Sequence, residues 1–280
     1  MTFEASTSNR NNTFLTSVRL SQQPTHRHIQ QAARLASGAT SGCCMRRALA
    51  ILLACLSVFG AAPSVGQPAL LPTVPDAAQA VSLTGEALYA AAADEKTLAN
   101  LAAARAEYQA NPNDAEAIVW LGRRMAYAGD YRGAIAVFSE GIAKFPEDPQ
   151  FYRHRGHRYV SIREFDRAID DFLRAVVLMQ GMDLRTEPDG LPNAQNIPLT
   201  TTQGNVWYHL GLAYYLKQDW PLALAAFRNG YNLGGYDDNL VSTGHWIYMI
   251  LRRMGRDAEA AAALSEIKHD MRIIENMSYH

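Results

Sequence analysis

The feature that most constrains the fold is a pattern of small and large residues that recurs with a period of 34 residues. Each copy holds a glycine, an alanine and a phenylalanine in that order: Gly122, Ala134 and Phe138; Gly156, Ala168 and Phe172; Gly211, Ala223 and Phe227. The third copy comes 21 residues later than the period requires. Small residues let two helices approach closely and a phenylalanine fills the remaining space, so the pattern predicts stacked helix–turn–helix units.

Turn residues set the bounds of the predicted helices. Gly129 ends one helix, and Pro221 suits the first turn of another. The predicted helices span 94–110, 115–128, 131–144, 149–162, 165–178, 204–217 and 220–233. The repeats span 115–148, 149–182 and 204–237, with a degenerate copy over 241–270 and an insertion over 181–203. Residues 268–280 are expected to extend the last helix or to fray.

The third copy carries the most complete motif. The segment Trp207-x-x-Leu210-Gly211-x-x-Tyr214, followed by Ala223 and Phe227, resembles the signature of the tetratricopeptide repeat (TPR) family. That resemblance implies an all-α fold, a right-handed α-solenoid of tetratricopeptide helix–turn–helix repeats with capping helices, in a domain over 94–280. The runs 152–159 and 187–193 are similar to a bacterial subgroup of these repeat proteins, and that similarity implies no activity.

The TPR resemblance also implies a ligand-binding groove lined by the first helix of each repeat. The corresponding residues are Trp120, Arg123 and Tyr127; Arg153, His154 and His157; Asn205, Tyr208, His209 and Tyr215; and His245, Trp246, Met249 and Arg252. This surface is aromatic, rich in histidine and cationic, although the chain as a whole is acidic.

Two interpretations of the groove arginines stay open. Arg123 and Arg153 can recognise a carboxylate or another anion, because guanidinium offers a planar bidentate fork. The aromatic residues would then supply stacking area for an extended peptide. Alternatively, the arginines pair within the chain and the histidines hydrogen-bond in the groove wall; the candidate carboxylates are Glu116, Asp166 and Asp170.

A metal site is the competing interpretation of the histidines. Imidazole binds zinc, copper and nickel, and His154, His157, His209 and His245 all fall on the predicted groove. Their spacing is loose and the sequence has no H-E-x-x-H motif, so the sequence favours neither a metal nor another cofactor.

The insertion over 181–203 is long for a connection inside a compact helical stack. We expect it to fold over the groove beside His209, where it shapes or occludes the site. The alternative is a surface excursion without a role in binding.

Signals of catalysis are weak. The sequence has no Walker loop, no G-x-S-x-G and no dinucleotide-binding fingerprint. All three cysteines precede Gly66, so a chain cleaved there has no thiol nucleophile. The sequence therefore favours a non-catalytic binding scaffold; a small-molecule or metal-binding protein is the alternative, and an enzyme is less favoured still.

The N-terminal quarter has the composition of a targeting region. Residues 1–44 are expected to be disordered or to precede the true start at Met45. Residues 45–66 combine a basic start, a short apolar run and small residues, which is typical of a signal peptide; an uncleaved anchor over 48–62 is the alternative. Residues 67–93 are an Ala/Pro-rich linker that is expected to become helical near 87–93.

The net charge of the chain limits the classes of partner that it can bind. Removing residues 1–66 takes six arginines and one acidic residue from totals of 26 basic and 27 acidic residues, which leaves a net charge of −6. That balance gives no bulk attraction to nucleic acid or to an anionic membrane. We therefore expect a periplasmic or secreted protein with no membrane span after cleavage, whose partner is a protein or peptide.

Overall fold

The computed structural model describes residues 78–82 and 84–279, and the expectations for residues 1–77 lie outside that range. The described residues include two short strands and nine helices, joined by turns and loops. They are β1 Ala80–Val81, β2 Ala87–Leu88, α1 Glu95–Ala110, α2 Ala115–Tyr127, α3 Tyr131–Lys144, α4 Pro149–Ser161, α5 Phe165–Leu178, α6 Thr202–Leu216, α7 Trp220–Asn232, α8 Asp237–Arg253 and α9 Asp257–Ser265. No helix in this range is both long and apolar enough to cross a membrane.

Aspartate caps explain why the helices begin where they do. The carboxylates of Asp114, Asp130 and Asp219 each accept a hydrogen bond from the backbone N–H three residues later, at 2.9, 2.8 and 3.2 Å. Such a cap satisfies a donor that the first turn of a helix leaves free. Thr201 caps α6 in the same way, at 3.0 Å from Gly204 N, so this helix begins two residues before the predicted bound.

The three glycine–phenylalanine pairs are the contacts that hold each helical hairpin together. A Cβ atom placed on Gly122 would lie 2.4 Å from Cε1 of Phe138, which is shorter than the non-bonded contacts that real Cβ atoms make. The equivalent distances are 3.0 Å from Gly156 to Phe172 and 2.7 Å from Gly211 to Phe227. All three phenylalanines are buried. The packing predicted from the 34-residue pattern is therefore confirmed.

The prediction of helix near 87–93 is wrong. β1 and β2 pair antiparallel instead, with Ala80 opposite Leu88. Just before β1, Oε1 of Gln79 accepts hydrogen bonds from the backbone N–H groups of Tyr131 and Arg132, at 3.1 and 3.2 Å. The hairpin thereby satisfies donors at the start of α3, and this tertiary contact outweighs the helix propensity of alanine.

The C-terminal tail is ordered against α8 rather than frayed or helical. Asp238 is buried in the first turn of α8, and its carboxylate accepts from three successive backbone N–H groups. Oδ2 accepts from Ile274 at 2.9 Å, while Oδ1 accepts from Glu275 and Asn276, each at 2.8 Å. The expectation for residues 268–280 did not include this anchor, since a single aspartate in a sequence does not indicate what it binds.

Candidate functional site

Residues 183–201, which we call the strap, leave the stack between α5 and α6 and return through a closed base. The N–H of Thr202 donates to the carbonyl of Arg185 at 2.8 Å, and the N–H of Glu187 donates to the carbonyl of Thr200 at 3.1 Å. Because both ends of the strap meet in this short ladder, the residues between them are free to lie on another part of the molecule.

The strap lies on the face formed by the first helices of the repeats, α2, α4, α6 and α8, which we call the groove face. Arg123 Nη2 donates to the carbonyl of Pro188 at 2.6 Å, and Arg124 Nη1 donates to the carbonyl of Gly190 at 2.8 Å. Gly190 also packs so closely that a Cβ there would lie 2.1 Å from the hydroxyl of Tyr127. The expectation that the insertion folds over the groove is confirmed, but these contacts are with α2 rather than beside His209.

One buried ion pair joins the strap to α4. Arg153 Nη2 lies 3.1 Å from Glu187 Oε1, and both side chains are less than a tenth exposed. Burial lowers the pKa of Arg153; the negative charge of Glu187 raises it in part, and the positive charge of Arg123 lowers it further. An arginine desolvated to this extent needs an anionic partner, and the strap provides it.

Two of the three carboxylates expected from the sequence have other contacts in the described structure, and the third, Asp170, is exposed. Glu116 accepts from Trp120 Nε1 at 2.7 Å. Asp166 pairs with Lys217. The interpretation that the groove arginines pair within the chain is therefore confirmed in kind for Arg153, but its partner is Glu187 in the insertion.

Three of the predicted histidines come together in the middle of the groove face. The rings of His157 and His209 are 3.9 Å apart between centroids, and Nδ1 of His209 lies 2.9 Å from the carbonyl oxygen of Asn205. The ring of His154 stacks on that of Phe138, with 5.5 Å between the ring centroids. Burial is the main cause that lowers the pKa of His154 and His157 well below the usual value and that of His209 to about 3. All three imidazoles are therefore neutral at pH 7.

The fourth histidine is elsewhere, so the four do not converge on one metal. His245 packs against Trp246 at 5.8 Å and against Tyr279 of the tail at 4.8 Å. Within the described residues no group of three or more His, Cys, Asp and Glu side chains is placed to hold a metal ion. The neighbouring guanidinium of Arg153 also disfavours a cation, since like charges at short range repel.

A cavity of about 210 Å³ remains between the strap and the groove face. Its lining from the repeats includes Arg123, Tyr127, Phe138, Arg153, His154, His157, Arg158 and Asn205, and its lining from the strap and tail includes Glu187, Pro188, Asp189, Leu199, Thr200 and Glu275. Six of the predicted groove residues thus line one cavity. The strap covers this part of the groove, as the sequence predicts for the insertion.

The predicted aromatic residues of the third and fourth units form a separate cluster. Trp246 Nε1 donates to the hydroxyl of Tyr208 at 2.9 Å, and the Trp246 ring stacks on Phe227 at 5.8 Å. Tyr215 meets Trp246 edge-on at 4.9 Å. Burial raises the pKa of Tyr208 to about 12. These contacts are typical of packing between helices rather than of a surface that is free to bind.

Three predicted groove residues remain, Trp120, Met249 and Arg252, and none of them lines the cavity; Met249 is half-buried on α8. Trp120 packs beneath two guanidiniums, with Cζ of Arg123 at 4.2 Å and Cζ of Arg124 at 4.9 Å from its ring centroid. Arg252 is exposed and lies 3.1 Å from Asp257. Trp120 therefore supports the arginines that hold the strap, whereas Arg252 makes an ordinary surface ion pair.

Sequence reasoning missed several residues of the site: Arg124, Arg158, Glu187, Gly190 and Glu275. Two of them left a signal, because Glu187 and Gly190 flank a Pro-Asp turn in an insertion that faces an arginine-rich groove. Glu275 left none, since its place depends on the tail folding back onto Asp238.

No protein-family model matches the sequence, and no curated protein matches it. The periodic glycine–phenylalanine contacts, set in consecutive helical hairpins, decide the architecture. The chain has the TPR fold.

Several solved structures resemble it at low sequence identity. MamA 41-end from Desulfovibrio magneticus RS-1 is 16% identical, with a TM-score of 0.48 over 62% of this chain and 84% of that chain. YrrB, described as a TPR protein with an unusual peptide-binding site, is 18% identical, with a TM-score of 0.45 over 59% and 73%. TTC0263, a thermophilic TPR protein of Thermus thermophilus, is 18% identical, with a TM-score of 0.44 over 60% and 79%.

Proposed function

We propose that the protein is a non-catalytic scaffold that binds an acidic, extended segment of a partner protein on its groove face. The observation that carries this proposal is that the face already holds such a segment from its own chain. Glu187 lies against Arg153, and the carbonyls of Pro188 and Gly190 accept from Arg123 and Arg124. The chemistry that holds the strap is the chemistry that a partner would meet.

The contacts define what a partner segment must offer. Arg153 requires a carboxylate, because a buried guanidinium without an anion is costly. Arg123 and Arg124 donate to main-chain carbonyls, so they do not select the side chain of the partner. They do require a partner backbone, extended or in a turn, whose carbonyls lie within hydrogen-bond distance. Tyr127 requires a small residue at the position of Gly190. A Glu followed by a turn with glycine satisfies all three conditions.

Partner binding requires the strap to leave the groove face. The outer hydrogen bond of the base, from Thr202 N–H to the carbonyl of Arg185, involves none of the groove residues, so it can persist while Glu187 and the rest of the strap depart. A tethered segment competes at an effective concentration in the millimolar range. The intact protein should therefore bind a partner segment only when that segment makes better or more numerous contacts than the strap.

The absence of a catalytic role is supported by the surroundings of the histidines. A side chain that acts as a general base must have a pKa near the working pH. Burial lowers the pKa of His154, His157 and His209 far below that pH. Arg153 donates to Nδ1 of His154, which uses the lone pair that a base would need.

We also propose that the protein acts outside the cytoplasm, in the cell envelope or beyond it. The support is the sequence over 45–66, with its basic start and short apolar run. Fractionation of expressing cells, with the N-terminus of the recovered protein sequenced, tests this. Recovery of the uncleaved chain in the cytoplasm would refute it.

The binding proposal is tested with a variant in which residues 186–200 are replaced by a short Gly-Ser linker. Such a linker fits because Arg185 and Thr202 are joined by a 2.8 Å hydrogen bond at the base of the strap. Fluorescence anisotropy then measures binding of a labelled peptide with the sequence of residues 185–192. We expect saturable binding that weakens as salt is raised, because the contacts are partly ionic.

Two changes and one control make the test specific. Binding should weaken when the peptide carries Gln in place of Glu187 and when the protein carries Arg153→Gln. An Arg167→Gln protein should bind normally, since Arg167 is exposed and pairs with Glu164 away from the groove face. The proposal fails if the folded, linker-bearing protein does not bind the peptide, or if Arg153→Gln has no effect.

A further inference from the structure

The cavity beneath the strap has buried donors that nothing in the described chain satisfies. Nε of Arg123 and Nε of Arg153 are both inaccessible to solvent and have no hydrogen-bond partner among the described residues. Both side chains are more than nine-tenths buried, and both line the cavity. Two buried acceptors that line the same cavity, Oε1 of Glu187 and Oδ1 of Asn205, also have no hydrogen-bond partner among the described residues. A buried donor left unpaired costs about 1–3 kcal/mol, so the two guanidinium N–H groups favour a group that accepts hydrogen bonds, and a protonated oxygen of that group can donate to the two acceptors.

A third guanidinium adds positive charge without a counter-ion. Arg158 also lines the cavity, and its contact in the described structure is the face of Tyr131, with Cζ 5.6 Å from the ring centroid. Burial, and then the positive charge of Arg153, lower the pKa of Arg158 to about 10. The three arginines are therefore close enough to repel one another.

Carboxylates do not neutralise this interior. Glu187 serves Arg153, whereas the side-chain hydrogen bonds of Arg123 go to uncharged oxygens of Pro188 and Tyr127. The two other acidic lining residues, Asp189 and Glu275, are exposed, so water screens their charges. Among the less exposed lining residues, three guanidiniums face one carboxylate.

We propose that this cavity binds a small oxyanion, of the phosphate or carboxylate type, between Arg123, Arg153 and Arg158. Guanidinium binds such groups through charge-assisted hydrogen bonds. The volume of about 210 Å³ admits an anion of a few heavy atoms and not an extended peptide. This anion site is distinct from the proposed binding of a partner segment, because the cavity is formed only while the strap lies on the groove face.

The anion has a direct consequence for the strap. Arg123 and Arg153 are the residues that hold the carbonyl of Pro188 and the carboxylate of Glu187. An anion that fixes the two guanidiniums favours the closed strap, and by linkage it opposes any partner that requires the strap to open.

Isothermal titration of the intact protein with inorganic phosphate, and separately with succinate, tests the site at constant ionic strength. We expect one binding site for at least one of the two anions, and their relative affinities distinguish a phosphate from a carboxylate ligand. Hydrogen exchange of the Glu187 amide, which donates to Thr200 in the strap base, should slow when the anion is bound.

Matched variants decide where the anion binds. Arg158→Gln removes one guanidinium that has no carboxylate partner, so it should fold normally and weaken the affinity about tenfold or more. Arg167→Gln, on the exposed side of the next helix, should leave the affinity unchanged. The proposal is overturned if neither anion binds at millimolar concentration, or if Arg158→Gln binds as tightly as the unmodified protein. Because no peptide is present, this failure is separate from failure of the partner proposal.

Discussion

Nη2 of Arg153 lies 3.1 Å from Oε1 of Glu187, and this contact ties a long insertion to the centre of a TPR groove. Both groups are buried, so the loss of either partner would leave an uncompensated charge away from water. The groove face is therefore not an empty platform, since the chain itself supplies an acidic segment for its arginines.

Removing one member of this pair should destabilise the protein. Glu187→Gln leaves the Arg153 guanidinium buried without an anion, and we expect the free energy of unfolding to fall by about 3 kcal/mol, or by less if the strap opens and lets water reach the arginine. Urea denaturation measures the loss. Glu147→Gln is the matched control, because Glu147 pairs with Arg174 at 2.9 Å on the surface and should cost less than about 1 kcal/mol. Equal losses in the two variants would contradict this account.

Close helix packing predicts unequal effects for two glycine-to-alanine changes. Alanine gains up to about 1 kcal/mol over glycine inside a helix, whereas overpacking costs about 1–3 kcal/mol. At Gly122 the new Cβ would meet Phe138 at 2.4 Å, so strain wins and Gly122→Ala should destabilise; at Gly156 the distance to Phe172 is 3.0 Å, so the two effects nearly cancel. Thermal or urea unfolding measures both. The packing argument fails if Gly156→Ala is the more damaging change.

Acidification should destabilise the fold through His154, which is buried, and through His157 and His209, which are half-buried. Their pKa values are lowered in the folded protein, to about 3 for His209, against 6.5 for the unfolded chain. Unfolding therefore takes up protons below about pH 6.5, and the stability that is present above that pH is lost as the pH falls, by up to about 1.4 kcal/mol per pH unit for each histidine. Urea unfolding at about pH 7.5 and pH 5.5 tests this before most carboxylates titrate. His157→Leu should reduce the slope, and a pH-independent stability would contradict the assignment.

The tail anchor should depend on one carboxylate. Asp238→Asn replaces an acceptor oxygen by an NH₂ group, which faces backbone N–H donors of residues 274–276. We expect faster hydrogen exchange over 272–279 and a loss of about 1–3 kcal/mol. Asp237→Asn is the control, because Asp237 accepts one backbone bond, from Arg272 at 2.7 Å. If the two variants exchange alike, Asp238 is not the anchor.

The sequence predicts the helices well because their determinants are local. The spacing of Gly122 and Phe138 fixes a helical hairpin, and the aspartate caps fix its ends, so the observed bounds lie within two residues of the predicted ones. The same pattern places Arg123 and Arg153 on one face, where the structure also has them.

What the sequence could not predict depends on contacts between distant segments that have no periodicity. Glu187 finds Arg153 only because the strap folds back across α4. Gln79 finds the start of α3, and the tail finds Asp238, through single hydrogen-bonding side chains. Nothing in the residue types alone distinguishes Glu187, as the partner of Arg153, from the alternatives Glu116, Asp166 and Asp170.

The most direct test of the central claim compares the affinity of one peptide for two forms of the protein. The peptide has the sequence of residues 185–192, and the forms are the intact chain and the variant with residues 186–200 replaced by a short linker. If the strap and the peptide compete for Arg153 and Arg123, the intact chain should bind about a hundredfold more weakly or worse, because the tethered strap competes at high effective concentration. Equal dissociation constants for the two forms would show that the peptide binds elsewhere and that the groove face is not an acidic-segment site.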